Sequence, residues 1–157
     1  MIKRTDYLKE LNKWKDEKVI KVVTGIRRCG KSTLLEQFQT ELVSKGISRE
    51  QIIAVNFEAL EFEELLDYKK LYAYILDRIA PDKKNYVFLD EIQMVNDYQK
   101  AVDSLFIRDN IDIYITGSNA YLLSGELATL LSGRYVEIRM LPLSFREYAN
   151  ARPEITD

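Results

Sequence analysis

The chain has 157 residues, 46% apolar and 31% charged, as expected of one soluble globular domain with a single core. Its net charge of −2, from 23 basic and 25 acidic residues, exerts no overall pull toward nucleic acid or an anionic membrane. The absence of histidine excludes Ser-His-Asp and Cys-His catalysis and most zinc sites, and a single cysteine, Cys29, excludes an internal disulfide.

Along the chain, Tyr7, Leu8, Leu11 and Trp14 recur at helical spacing and predict a short amphipathic helix over 5–15. The start is charged throughout and does not read as a secretory signal, and no apolar run approaches the ~18 residues of a membrane helix. A cytoplasmic location is therefore expected. Residues 18–24 are β-branched and apolar, and read as a strand. A helix follows, with Leu35, Phe38 and Leu42 on one face and Gly46 as its stop. Residues 52–57 form a second strand. A long helix is predicted over 63–80, striped by Tyr68, Leu71, Tyr72, Ile75, Leu76 and Ile79 and closed by Pro81. Tyr86 to Leu89 is a strand buried on both faces, and it leads into Asp90 and Glu91. Tyr98, Ala101, Val102, Leu105 and Phe106 mark a helix, and 111–119 a fourth strand with a polar end. Residues 120–131 read as helical, 135–141 as an edge strand, and 144–150 as the start of another helix. Strands alternating with helices imply an α/β fold, a parallel sheet covered by helices on both faces, with ligands at the carboxyl ends of the strands.

Between the first strand and its helix stands Gly25-Ile26-Arg27-Arg28-Cys29-Gly30-Lys31-Ser32, followed by Thr33. It fits G-x-x-x-x-G-K-[ST] at every fixed position, in the strand–loop–helix context that a P-loop needs. Backbone N–H groups and the helix N-terminus make such a loop an anion cradle. Gly25 and Gly30 allow backbone angles and close approach that a side chain would forbid. Lys31 is expected to reach the β- and γ-phosphates, and Ser32 to coordinate Mg²⁺. Arg27 and Arg28 either face solvent or widen the basic field. Cys29 is either a small filler or an activated thiol that Mg-ATP would shield from alkylation.

Asp90 and Glu91 end a buried strand 59 positions after Lys31 (90 − 31). Strand alternation would send them to opposite sides and give them different tasks. Asp90 is the candidate Mg²⁺ holder, and Glu91 the candidate general base for an attacking water. At the end of the fourth strand, Thr116-Gly117-Ser118-Asn119, the candidate γ-phosphate sensors are Ser118 and Asn119; an N-cap role suits both equally well. Arg134, just before the fifth strand, reads alone as an ordinary surface arginine, with γ-phosphate charge stabilisation as the sharper alternative.

Together, GIRRCGKSTLL, FLDEIQ and ITGSNAYLLSGELATLLSGRYVEIRMLPLSFREY resemble the ATPase core of a prokaryotic AAA+-like group related to the archaeal-type P-loop ATPases, over about Arg4 to Tyr148. The resemblance implies a three-layer αβα P-loop NTPase with strand order 5-1-4-3-2, and ATP and Mg²⁺ as ligands. It implies Ser118 or Asn119 at the sensor position, Arg134 as an arginine finger in cis or in trans, and the segment around Tyr7 near adenine. It also implies a lid and a restriction-endonuclease-like C-terminal domain beyond this chain. Residues 1–157 then divide into an N-terminal helix (1–17), the P-loop core (18–143) and the start of a further part (144–157). The expected function is Mg-dependent ATP hydrolysis coupled to conformational change, with a homo-oligomer among the partners and DNA without support from charge. The alternatives are a P-loop kinase acting on a small acceptor, and a non-hydrolysing nucleotide switch or DNA-associated adaptor.

Overall fold

The computed structural model describes residues 3–118, 131 and 133–142. Asn119, the helix predicted over 120–131 apart from Leu131, and the segment from Ser144 lie outside the described residues.

The elements follow in the order α1 (Thr5–Trp14), β1 (Ile20–Gly25), α2 (Lys31–Ser44), β2 (Ile52–Asn56), α3 (Tyr68–Arg78), β3 (Asn85–Asp90), α4 (Tyr98–Phe106), β4 (Ile111–Ser118) and β5 (Tyr135–Arg139). The five strands form one parallel sheet in the order β2-β3-β4-β1-β5, which is 5-1-4-3-2 read from the other edge. β1, β3 and β4 lie inside the sheet and are buried almost end to end. The edge strands β2 and β5 mix buried with exposed positions, as the alternation after Tyr135 predicts.

Alternate strand residues point to opposite faces, and each face has its own core. On one, Ile20 and Val22 of β1, Val87 and Leu89 of β3, and Ile113 and Ile115 of β4 pack with Leu71 and Ile75 of α3 and Val102 and Leu105 of α4. On the other, Val23, Phe88 and Tyr114 pack with Leu8 and Leu11 of α1 and Leu34, Phe38 and Leu42 of α2. Phe88 and Tyr114 are stacked at 4.8 Å, with Phe38 set against both rings. The result is an αβα sandwich.

The predicted helix over 63–80 is broken. Residues Leu60–Leu66 coil as a kinked 3-10 segment, and α3 begins only after Asp67. Asp67 holds extended angles, and its carboxylate accepts hydrogen bonds from the N–H groups of Lys69 (2.8 Å) and Lys70 (3.3 Å). The carboxylate thus satisfies N–H groups that a continuous helix would have bonded to its own carbonyls. The far end stops at Arg78, where Ile79 turns extended, before Pro81 is reached.

At the amino ends of the strands, the α1–α2 face buries a charge pair. Lys21 is fully buried, its ammonium donating to the Asp112 carboxylate and to the carbonyl of Glu17 (2.8 Å). Asp112 also accepts from the Tyr114 hydroxyl (2.7 Å) and the N–H of Asp16 (3.0 Å), and Tyr86 donates to the Asp16 carboxylate (2.8 Å). Every charge in this network has a partner, the condition under which buried ions are tolerated. Burial lowers the Lys21 pKa, and Asp112 opposes that shift. Burial raises the pKa of both Tyr86 and Tyr114, with further upward pushes from the neighbouring carboxylates.

Two outcomes are expected. Asp112→Ala strands the Lys21 ammonium and should cost about 3–5 kcal/mol in urea unfolding, much of it recovered by adding Lys21→Met. The pH dependence follows from the two phenols, whose ordinary pKa is 10.0. The folded chain keeps their protons above that pH while the unfolded chain releases them. Stability should therefore fall above pH 10, by about 1.4 kcal/mol per pH unit for each tyrosine. Urea melts of the Tyr86→Phe/Tyr114→Phe variant across pH 9–11 should show a flatter slope.

Candidate functional site

The parallel register brings three strand ends together. β4 lies between β1 and β3, with Thr24 opposite Gly117, Gly25 opposite Ser118, and Leu89 opposite Ile115. The loop after β1, the carboxylates after β3 and the polar end of β4 therefore share one edge of the sheet.

The loop is built by two glycines with different tasks. Gly30, the N-cap of α2, sits in the left-handed region at φ 100°. Gly25 does not; its constraint is space, since a Cβ there would lie 2.6 Å from Cys29 Sγ and 2.7 Å from the Met140 carbonyl oxygen. Arg28 takes a positive φ of 67° without being glycine. Ile26, Arg27 and Arg28 form the exposed crest. Cys29 points the other way, 6% exposed among Leu8, Leu11 and Leu34, which favours the filler reading over the activated thiol.

Lys31 is buried at the first turn of α2, and its ammonium donates to the carbonyls of Gly25 (3.0 Å) and Ile26 (3.1 Å). It also lies 3.9 Å from Glu91 Oε1. Ser32 and Thr33 follow in the same turn, half-buried.

Asp90 and Glu91 are separated by a turn and not by strand alternation, which corrects the expectation above. The strand ends at Asp90, and Glu91 takes φ 61°, ψ 51°. That left-handed residue folds the chain back, so both carboxylates stay at the same edge. Thr116 joins them: its hydroxyl donates to Asp90 Oδ1 and accepts from the N–H of Glu91 (2.9 Å). Glu91 Oε2 accepts from the Gln93 side-chain amide at 2.6 Å. Sequence reasoning overlooked Thr116 and Gln93. The signal for Thr116 was its place in the fourth-strand motif, one step past the Leu89–Ile115 pair and so level with Asp90. Gln93 lay in the quoted FLDEIQ.

Ser118 ends β4, half-buried, beside Gly25. Arg134 is placed elsewhere. Its carbonyl accepts from the N–H of Ile20, at the start of β1, so the length of β1, about 17 Å, separates it from the loop. Its guanidinium lies 3.3 Å from Asp103 and 5.0 Å from the Phe106 ring centre, on α4. Burial raises the pKa of Asp103, against the lowering pull of Arg134. Near the loop, the Arg4 guanidinium donates to the carbonyls of Cys29 (3.2 Å) and Leu141 (2.8 Å), and the Tyr7 hydroxyl accepts from the Leu141 N–H (3.0 Å).

The donor set suits a polyphosphate with a hard cation. A cationic side chain and a helix N-terminus face the loop, and Ser32 and Asp90 offer hard oxygens. Among the described residues no group of three or more His, Cys, Asp or Glu is placed to hold a metal alone. Magnesium characteristically takes one or two protein oxygens and completes its shell with phosphate and water. No helix among the described residues is long and apolar enough to cross a membrane.

Residues 17–149 match the AAA domain family. An uncharacterised protein of Haemophilus influenzae is 48% identical over 153 residues, covering 97% of this chain and 38% of that protein. An uncharacterised protein of Methanocaldococcus jannaschii is 38% identical over 131 residues, covering 82% of this chain and 28% of that protein. The chain thus spans 38% of the length of the first relative and 28% of the second. Among solved structures, Cdc6p from Pyrobaculum aerophilum superposes with a TM-score of 0.66 at 12% identity, covering 94% of this chain and 48% of that one. The Aeropyrum pernix Orc1 protein, solved in complex with DNA, gives 0.66 at 13%, covering 98% and 50%. Hsp104, solved with ATPγS and casein, gives 0.65 at 17%, covering 95% and 28%.

Two substitutions test the architecture of this edge. Thr116→Val should cost about 1–3 kcal/mol in urea unfolding, because it strands the buried Glu91 N–H, while Thr116→Ser should cost much less. Gly25→Ala should lower the melting temperature by driving a methyl group into the Met140 carbonyl.

Proposed function

The chain belongs to the AAA domain family, of nucleotide-binding ATPase type, and from that premise we propose that it binds Mg-ATP and hydrolyses it by in-line attack of water on the γ-phosphate. The convergence of Asp90 and Glu91 on Thr116, with Lys31 beside Glu91, at the carboxyl ends of β1, β3 and β4, carries this reading.

In this reading the backbone from Gly25 to Thr33 cradles the phosphates. Lys31 exchanges its loop carbonyls for β- and γ-phosphate oxygens. Ser32 and Asp90 hold Mg²⁺, which when bound neutralises developing phosphate charge. Glu91 accepts the proton of the attacking water, and Ser118 or Asn119 senses the γ-phosphate. The pairing of a water-directed glutamate with the P-loop supports hydrolysis over phosphoryl transfer to a small acceptor.

Arg134 belongs to this reading only in trans. A side chain at the amino end of β1 cannot span the sheet to its own loop, so the γ-phosphate it serves is that of a second copy. The Aeropyrum pernix Orc1 protein was solved with DNA; a net charge of −2 gives this chain no comparable support for DNA as a partner. The output of hydrolysis is assigned to the lid and C-terminal domain that the longer relatives have room for.

The test uses full-length protein, with nucleotide affinity and phosphate release measured separately. Lys31→Ala should lose tight Mg-ATP binding. Glu91→Gln should bind normally and release phosphate at least about 100-fold more slowly; normal release would refute the mechanism. Arg134→Ala should slow release, and native activity per protomer should rise with protein concentration. Activity independent of concentration would rule out action in trans.

A further inference from the structure

Gln93 and Lys31 are both set against the Glu91 carboxylate, one on each oxygen. The Gln93 amide nitrogen donates to Oε2 at 2.6 Å, while Oε1 faces Lys31 at 3.9 Å. The amide cannot be reversed, because that would set its carbonyl oxygen against a carboxylate oxygen, two acceptors with no proton between them. The position of Gln93 Oε1 is thereby fixed as well. That oxygen is buried and has no hydrogen-bond partner among the described residues.

A buried acceptor without a donor is destabilising and uncommon in folded proteins. Phosphate oxygens are themselves acceptors and cannot satisfy it. Water can. The backbone of Glu91 is held by Thr116, and the Gln93–Glu91 hydrogen bond sets the unpartnered oxygen beside the Glu91 carboxylate.

We propose, on the hydrolytic reading above, that Gln93 is a positioning residue for the attacking water: its amide N–H holds Glu91 Oε2, leaving Oε1 to take the proton, and its own Oε1 accepts a hydrogen bond from that water. In the step, the water oxygen bonds to the γ-phosphorus. The bond from the γ-phosphorus to the β–γ bridging oxygen breaks, and its electron pair stays on ADP. One water proton passes to Glu91 Oε1. The other, held by Gln93, remains on the phosphate product.

The experiment measures kcat, Mg-ATP affinity and melting temperature for full-length Gln93→Leu and Gln93→Glu, beside Glu91→Gln. Gln93→Glu keeps the length of the side chain and replaces its amide nitrogen, and Gln93→Leu removes both polar atoms, so either one suffices if the other fails to fold. The expected result is a fall in kcat of about 10- to 100-fold with Mg-ATP affinity unchanged within about twofold. Two results overturn the proposal: kcat kept within about twofold, or a kcat loss matched by lost affinity or a lowered melting temperature, which a purely structural amide would produce. Glu91→Gln separates the two levels. If it is inactive while the Gln93 variants turn over normally, only the role of Gln93 falls. If it is as active as the native protein, the hydrolytic reading falls and takes this role with it.

Discussion

Everything at the working edge of this protein depends on β4 running parallel between β1 and β3. A parallel ladder ends every strand on the same side, and the register decides which residues finish level with one another. Here it sets Ser118 against Gly25 and leaves Thr116 level with Asp90. A single hydroxyl then ties the end of one strand to the turn after its neighbour. A slip of one residue would send the Thr116 side chain to the other face of the sheet and leave both Asp90 and the Glu91 N–H without it.

The opposite end of the same strands is fixed by different means. The Lys21–Asp112 pair, with Tyr86, Tyr114 and Asp16, locks β1, β3 and β4 to the turn after α1 through charge and hydrogen bonds. Between the two polar ends lies a dry middle, with separate cores on the two faces. The sheet is therefore held at three levels, and the loops that carry chemistry rise from a frame with little freedom of its own.

Much of this was legible in the sequence. The glycine spacing before Lys31, the buried run ending in Asp90-Glu91 and the alternation of strands and helices each have one simple physical cause, and the fold follows from them. Order 5-1-4-3-2 came from family resemblance. Other features depended on tertiary contacts or on backbone angles that a residue's name does not announce. Glu91 and Arg28 are not glycines, yet both take positive φ, so alternation misjudged how the two carboxylates part. Asp67 sits inside the helix predicted over 63–80, just ahead of the stripe that begins at Tyr68, and only its carboxylate bonding to Lys69 and Lys70 reveals the break. Thr116 was passed over because hydroxyl and amide residues nearer the strand tip drew attention first. Gly25 was expected to supply both free backbone angles and close approach of phosphate, and its constraint in the structure is room beside Cys29 and Met140. The motif placed Arg134, but only the pairing of β5 with the start of β1 shows which end of the sheet it occupies.

Arg4 has a mechanical consequence. One planar guanidinium donates to the phosphate-loop carbonyl of Cys29 and to the carbonyl of Leu141, where the chain has just left β5. The fork is rigid, and its two donors keep a fixed spacing. The loop and the exit of β5 cannot move apart without breaking one of these bonds, and if they move together they carry the start of the chain with them. The protein thus has a tie-rod between the loop and the outgoing backbone, anchored by a residue almost 140 positions from one of its ends.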